Sequence, residues 1–288
     1  MAKDTFFNKT FELLLQGQVH YLDQPLAMGI LNVNSESFFD GGKYLNETEF
    51  LLQTEKMLSE GADFIDVGGI SSKPGSHLFS EKIELERVLP VVKILVKTFP
   101  GIKLSIDTFR QNVAEITLSE GVSIINDISG GRWDPKILET VAKSNCTYVL
   151  MHSRNTFEMM HEKEFYTDLI STIKSEINNQ LNVANKSGLK SIIIDPGFGF
   201  SKNINQNFKL LNNLEEFNDL NYPILAGISR KSMIWKTLNT NPENALNGTT
   251  ALNMICLLKG AKILRVHDVK EAKETITLYQ KMTSNLSE

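Results

Sequence analysis

The sequence predicts an α/β protein: a single (β/α)8 TIM barrel with an N-terminal β-hairpin. Three observations predict it. Short β-branched runs alternate with longer amphipathic stretches from residue 26 to the end. Each run is apolar and bounded by turn residues, as strands buried on both faces are. No linker or low-complexity stretch interrupts the chain, so residues 1–288 read as one domain. A doubly wound open sheet is the competing architecture; it needs neither an eighth strand nor closure.

The elements follow in order. Thr10–Leu15 and Val19–Leu22 flank Gln16-Gly17-Gln18 and predict a hairpin within residues 1–25, placed to plug the N-terminal mouth of the barrel. The predicted strands are Leu26–Leu31, Phe64–Val67, Lys103–Ile106, Ser123–Ile125, Thr147–Met151, Ser191–Ile194, Ile224–Gly227 and Ile263–Val266. Helices fit between them. Ser80 caps one, with Glu81 in its first turn and Ile83, Val88, Val92, Ile94 and Leu95 recurring at helical spacing. Pro90 inside it predicts a kink or an early break. A longer helix runs from Asp168 through Ile173, Ile177, Leu181 and Ala184 to a stop at Gly188. Another spans residues 243–259 and ends at Gly260.

Composition bounds the function. The chain is 41% hydrophobic, enough for a core without disulfide or structural metal. A net charge of −4 gives no global attraction for nucleic acid or an anionic membrane. Cys146 and Cys256 have no metal-ligand spacing and read as buried apolar thiols. No secretory signal and no bilayer-length apolar run is visible, so a cytoplasmic protein is expected.

In such a barrel the chemistry sits at the C-terminal ends of the strands. The residues there are Asn32, Asp66, Asp107, Asn126 with Asp127, His152, Asp195, Ser229 to Lys231, and Arg265 with His267. One Asp after a strand is usually a helix cap, but a polar residue after nearly every strand predicts convergence on one pocket. Asp66, Asp107, Asn126 and Asp195 suit a flat ring bearing N–H and NH2 groups. Lys231, Arg265 and His267 suit a phosphate or carboxylate. A substrate with a polar heterocycle at one end and phosphates at the other fits this division; internal salt bridges without a ligand are the bland alternative. Gly-rich turns such as Gly197-Phe198-Gly199-Phe200 permit close backbone approach to a ligand. Ser229-Arg230-Lys231-Ser232 precedes the apolar stretch Met233 to Leu238, which places hydroxyls at a helix N-terminus, a seat for an anion or a simple cap.

Over nearly its whole length the chain resembles the dihydropteroate synthase family. The resemblance rests on Met28-Gly29-Ile30-Leu31-Asn32-Val33 with Ser37-Phe38 and Asp40-Gly41-Gly42, and on Gly61-Ala62-Asp63 with Ile65-Asp66-Val67-Gly68-Gly69. Ser105-Ile106-Asp107-Thr108, Ile125-Asn126-Asp127-Ile128-Ser129 and Met151-His152 follow in family order. So do Asp195-Pro196-Gly197-Phe198-Gly199-Phe200, Ser229-Arg230-Lys231-Ser232 and Arg265-Val266-His267-Asp268. The resemblance implies a transferase of folate biosynthesis, the target of sulfonamides, that joins a pterin pyrophosphate to p-aminobenzoate. It implies a pterin pocket of Asp66, Asp107, Asn126, Met151, Asp195, Gly199, Phe200 and Lys231. It assigns Phe38, Ser72, Lys73, Pro74, Phe200 and Ser232 to p-aminobenzoate, and Asn32, Ser72, Lys73, Arg265 and His267 to the pyrophosphate. Asn32 would hold Mg2+, and Asn32, Asp107, Lys231, Arg265 and His267 would carry the catalysis. A homodimer is implied as well.

The chain departs from the family pattern at two loops. Asn34-Ser35-Glu36 stands where the family reads Thr-Pro-Asp, which removes a fixed φ. Ser71-Ser72-Lys73-Pro74-Gly75 stands where it reads Ser-Thr-Arg-Pro-Gly, so Lys73 keeps the charge and loses the planar fork of Arg. Two rival functions share the pterin set: a barrel that transfers a methyl group from a reduced pterin, and a non-catalytic pterin-binding paralogue.

Overall fold

The computed structural model describes residues 9–33, 39–40, 44–45, 47–70, 78–160 and 162–284. A hairpin of β1 (Phe11–Leu15) and β2 (Gln18–Leu22) comes first. The barrel strands are β3 (Leu26–Asn32), β6 (Phe64–Gly68), β7 (Leu104–Asp107), β8 (Ile124–Asp127), β9 (Thr147–Met151), β10 (Ile192–Asp195), β11 (Ile224–Ala226) and β12 (Ala261–Val266). All eight predicted strands are therefore present, with ends shifted by at most two residues. They pair in parallel and close in the order β10-β11-β12-β3-β6-β7-β8-β9, so the barrel replaces the open-sheet alternative. Two short strands, β4 (Phe39–Asp40) and β5 (Tyr44–Leu45), form a separate ribbon after β3.

The helices are α1 (Glu47–Ser59), α2 (Glu81–Thr98), α3 (Gln111–Ser119), α4 (Lys136–Lys143), α5 (Leu169–Lys186), α6 (Ile204–Asn212), α7 (Ser232–Trp235), α8 (Leu246–Leu258) and α9 (Val269–Ser284). The Ser80 cap is as the sequence predicts, and Asp168 caps the helix expected to run from it. The Ile83 N–H donates to Ser80 Oγ at 3.4 Å, and Asp168 Oδ1 accepts from Ile170 and Ser171 at 3.1 and 3.2 Å. Pro90 does not break α2; it lies on the exposed face, away from the packed stripe of Val88, Val91, Val92 and Leu95. Ile83, expected on that stripe, is exposed, and Glu84 takes the buried position in its phase. Helix α8 starts at Leu246 rather than at residue 243.

Alternation along each strand decides what enters the barrel. Outward residues such as Ile65, Val67, Ile106, Leu150 and Leu264 join the helices in the main core. Inward residues near the strand starts form a second cluster: Met28, Phe64, Ile124, Val149, Ile193, Leu225 and Ile263. Leu13, Leu15 and Leu22 of the hairpin belong to this cluster, so the hairpin closes the lower mouth. Its edge is tied on by polar groups: the Leu14 N–H donates to Ser191 Oγ at 3.0 Å and Thr147 Oγ1 donates to the Leu14 carbonyl at 2.8 Å. Buried apolar layers thus fill the lower barrel, and any ligand must enter from the opposite end. Cys146 and Cys256 are buried free thiols, as expected of apolar fillers.

Candidate active site at the upper mouth

One step further along the same inward register the character of the layer changes. Asp66, Asn126, Asp195 and Arg265 follow Phe64, Ile124, Ile193 and Ile263 by two residues on β6, β8, β10 and β12, and the period of two keeps them inward. Four side chains from alternate strands make one layer of a (β/α)8 barrel, and here that layer is polar. The alternate strands supply Asp107, Met151 and, just past β11, Gly227. Asp107, Asn126, Ile128, Met151, Asp195, Phe200, Gly227, Lys231 and Arg265 line a single pocket at these strand ends. Seven of the expected pterin and catalytic residues meet there.

Hydrogen bonds hold the set rigid. Asp66 is fully buried, and its Oδ2 accepts from Arg265 Nε at 2.7 Å and from Asn126 Nδ2 at 3.0 Å. Oδ1 of Asp66 has no hydrogen-bond partner among the described residues. Arg265 Nη2 donates to Asp107 Oδ2 at 3.0 Å. Asp66 therefore lies beneath the pocket wall and orients Asn126 and Arg265, rather than lining the opening. Burial pushes the Asp107 carboxyl up to about 7 against the pull of Arg265. Burial also raises Asp195, opposed by Lys231, while Lys231 is drawn down to about 8 by burial, opposed by Asp195. Lys231 Nζ donates to the Phe198 carbonyl and stands 4.6 Å from the centre of the Phe200 ring. Gly199, with φ +82°, leaves the space that the lysine stem crosses: a Cβ there would lie 2.9 Å from Lys231 Cδ.

The rim residues are Asn32 and His267. Asn32 pairs in register with Gly68, which pairs with Asp107. A Cβ on Gly68 would lie 3.5 Å from Asn32 Oδ1 and 3.7 Å from Asp107 Cβ, so the notch beside the Asn32 oxygen is left open. His267 is exposed at the end of β12, with Nδ1 3.0 Å from Ser229 Oγ. Ser229 Oγ also accepts the His267 N–H at 3.2 Å, so one hydroxyl braces both the backbone and the ring of His267.

Several expectations change. Asp127, His152 and Arg230, read as pocket candidates, face away from it. Asp127 accepts from Tyr148 Oη at 2.5 Å and from the Ser129 N–H at 2.7 Å. Arg230 spans both oxygens of Asp268, at 2.9 and 2.6 Å. Ser232 is half-buried and opens a helix of only four residues, not the longer one read over Met233–Leu238. Phe38, Ser72, Lys73 and Pro74 lie outside the described residues. Sequence reasoning missed Lys202, Glu176 and Glu84. Glu84 carried a signal, because it falls in phase with Val88, Val91 and Leu95; it is buried against Arg110 at 2.6 Å. Lys202 carried none.

A barrel mouth with two acids, an amide and a lysine beside Met151 and Phe200 is built to hold a polar ring. The sequence profile of the family described as "Pterin binding enzyme" matches residues 28–267. The dihydropteroate synthase of Bacillus subtilis is 40% identical over 253 residues, 87% of this chain and 86% of that one. That of Escherichia coli is 37% identical, covering 93% of this chain and 95% of its own. Among solved structures, the Yersinia pestis dihydropteroate synthase in complex with a sulfonamide drug superposes with a TM-score of 0.88 at 37% identity, covering 96% of this chain and 100% of that one. The Xanthomonas albilineans enzyme with 4-aminobenzoic acid gives 0.87 at 33% identity, over 96% and 99% of the two chains. The chain belongs to the dihydropteroate synthase family.

Proposed function

We propose that this protein condenses 6-hydroxymethyl-7,8-dihydropterin pyrophosphate with p-aminobenzoate, giving 7,8-dihydropteroate and pyrophosphate. The observation that carries the reading is the gathering of Asp107, Asn126, Asp195 and Lys231 around one opening. Asp195 and Asp107 accept from the ring N–H groups, Asn126 bonds the ring edge, and Lys231 donates to a ring acceptor. Met151 and Phe200 are the apolar walls. Such a flat set, held by Asp66 and Arg265 before the ligand arrives, fixes the pterin methylene at the mouth.

Arg265, His267 and Asn32 face the pyrophosphate. The guanidinium and the imidazole stabilise the charge that grows on the leaving oxygen as the C–O bond breaks. Asn32 Oδ1, beside the notch at Gly68, is an oxygen ligand of the kind Mg2+ takes and would hold the ion; among the described residues there is no cluster of three or more acidic, His or Cys ligands that would make a dedicated cage. When bound, Mg2+ supplies further neutralisation of the leaving group. The amine nitrogen of p-aminobenzoate attacks the methylene carbon and then loses a proton. No protein nucleophile is used. Phe38, Ser72, Lys73, Pro74 and Ser232 are assigned to p-aminobenzoate. No described helix is long and apolar enough to cross a membrane, and a cytoplasmic homodimer completes the reading.

The test is pyrophosphate release with both substrates and Mg2+ present. One pyrophosphate per dihydropteroate is expected. Pterin binding without release would refute the synthase in favour of a non-catalytic paralogue; methyl transfer from a reduced pterin would refute it in favour of the methyltransferase.

A further inference from the structure

A polar cluster lies behind the loop that carries Phe200, outside the pocket wall. Lys202 is 6% exposed. Its Nζ donates to the carbonyl of Gly197 at 2.9 Å and of Phe200 at 3.0 Å, and lies 3.2 Å from His152 Nδ1. His152, 1% exposed, has its Nε2 2.7 Å from Glu176 Oε2. An ammonium has three N–H bonds, and three acceptors are in reach. Burial draws Lys202 itself down to about 7; in its charged form, His152 is neutral, accepts at Nδ1 and gives its Nε2 proton to Glu176. Burial, with Lys202 adding to it, holds the imidazole down to about 4, in keeping with that form.

Burying an ammonium is expensive unless every donor is met, and here two of the three donors meet the backbone of one loop. That loop is already pinned at its start. The His152 N–H donates to the Asp195 carbonyl at 2.8 Å, and a Cβ on Gly197 would fall 1.9 Å from the His152 oxygen. Between the two carbonyls that Lys202 gathers lie Phe198, whose carbonyl accepts from Lys231, and Gly199, which the Lys231 stem crosses. The Phe200 ring then stands against Lys231 Nζ.

We infer that Lys202 is a positioning residue for the pterin pocket: by drawing the Gly197 and Phe200 carbonyls onto one ammonium, it sets the Phe200 ring against Lys231. Lys202 touches no substrate and acts through the loop. The inference rests on the pterin reading above and adds to it a residue that neither the pocket lining nor the sequence singled out.

Calorimetric titration with the pterin pyrophosphate tests it, on wild type, Lys202→Met, Phe200→Ala and the double variant, with melting temperatures recorded alongside. Lys202→Met is expected to weaken binding by about tenfold, and to add less than about twofold once Phe200 is already Ala, because the ring it positions is gone. A lysine that only stabilised the fold would lower the melting temperature, leave the affinity of the folded fraction unchanged, and give independent effects in the cycle. If Lys202→Met does not fold, Lys202→Gln, which keeps a donor without the charge, carries the same test with an intermediate loss. Affinity within about twofold of wild type in a folded variant, or full additivity with Phe200→Ala, overturns the inference. Failure of wild type to bind overturns the pterin reading itself and this inference with it.

Discussion

Replacing Arg265 with Met keeps the apolar stem and removes the guanidinium. Asp66 then loses the Nε contact at 2.7 Å and Asp107 the Nη2 contact at 3.0 Å. Asp66 is fully buried, and only the Asn126 amide remains to it, on an oxygen it already occupied. A buried carboxylate stripped of its cation costs about 3–5 kcal/mol. That is a large share of a total stability on the order of 5–15 kcal/mol. Urea unfolding followed through Trp133 and Trp235 fluorescence reads the loss as a lower midpoint at an unchanged slope. Adding Asp66→Asn removes the stranded charge, so the double variant should recover about 1–3 kcal/mol relative to the sum of the single effects. A single variant within about 1 kcal/mol of wild type, or strict additivity of the two, would refute the assignment of Asp66 as the counter-charge that holds Arg265.

Three further outcomes are expected. Asp107 is raised from 3.8 to about 7, chiefly by burial, so the folded state keeps a proton that the unfolded chain has lost; its contribution is full below about pH 4 and is lost as the pH passes about 7. In Asp107→Asn the decline in urea midpoint across that range should flatten, and an unchanged profile would contradict the burial argument. Gly199→Ala forces a side chain into φ +82° and sets its Cβ 2.9 Å from Lys231 Cδ, so pterin affinity should fall about tenfold or more. Equal affinity would show that the Lys231 stem has another path. Chelation with EDTA should stop pyrophosphate release, and Mg2+ should restore it, while Asn32→Ala should raise the Mg2+ concentration needed; an unchanged requirement would remove Asn32 from the metal's surroundings.

The eight strands were readable because each is a short apolar run buried on both faces, a pattern that sequence carries directly. The site was readable in part. Asp66, Asn126, Asp195 and Arg265 each sit two residues beyond an inward apolar residue, so their direction follows from a period of two. The same rule turns Asp127 outward, because it is one step out of phase with Asn126. His152 and Arg230 lie past the strand ends, where no period holds. Lys202 was illegible for a different reason: whether a lysine two residues beyond Phe200 is solvated or buried depends on carbonyls and an imidazole from other segments. Pro90 misled because its effect depends on which helix face it occupies.

The most direct test is a calorimetric titration of wild type and Asp195→Ala with the pterin pyrophosphate, at matched melting temperature. Asp195 sits in the polar layer opposite Asp66, and it faces the opening without tying down Asn126 or Arg265. One binding event per chain in wild type, and none in the variant, is the predicted result. Equal affinity in the two proteins would mean that the pterin does not sit in this mouth.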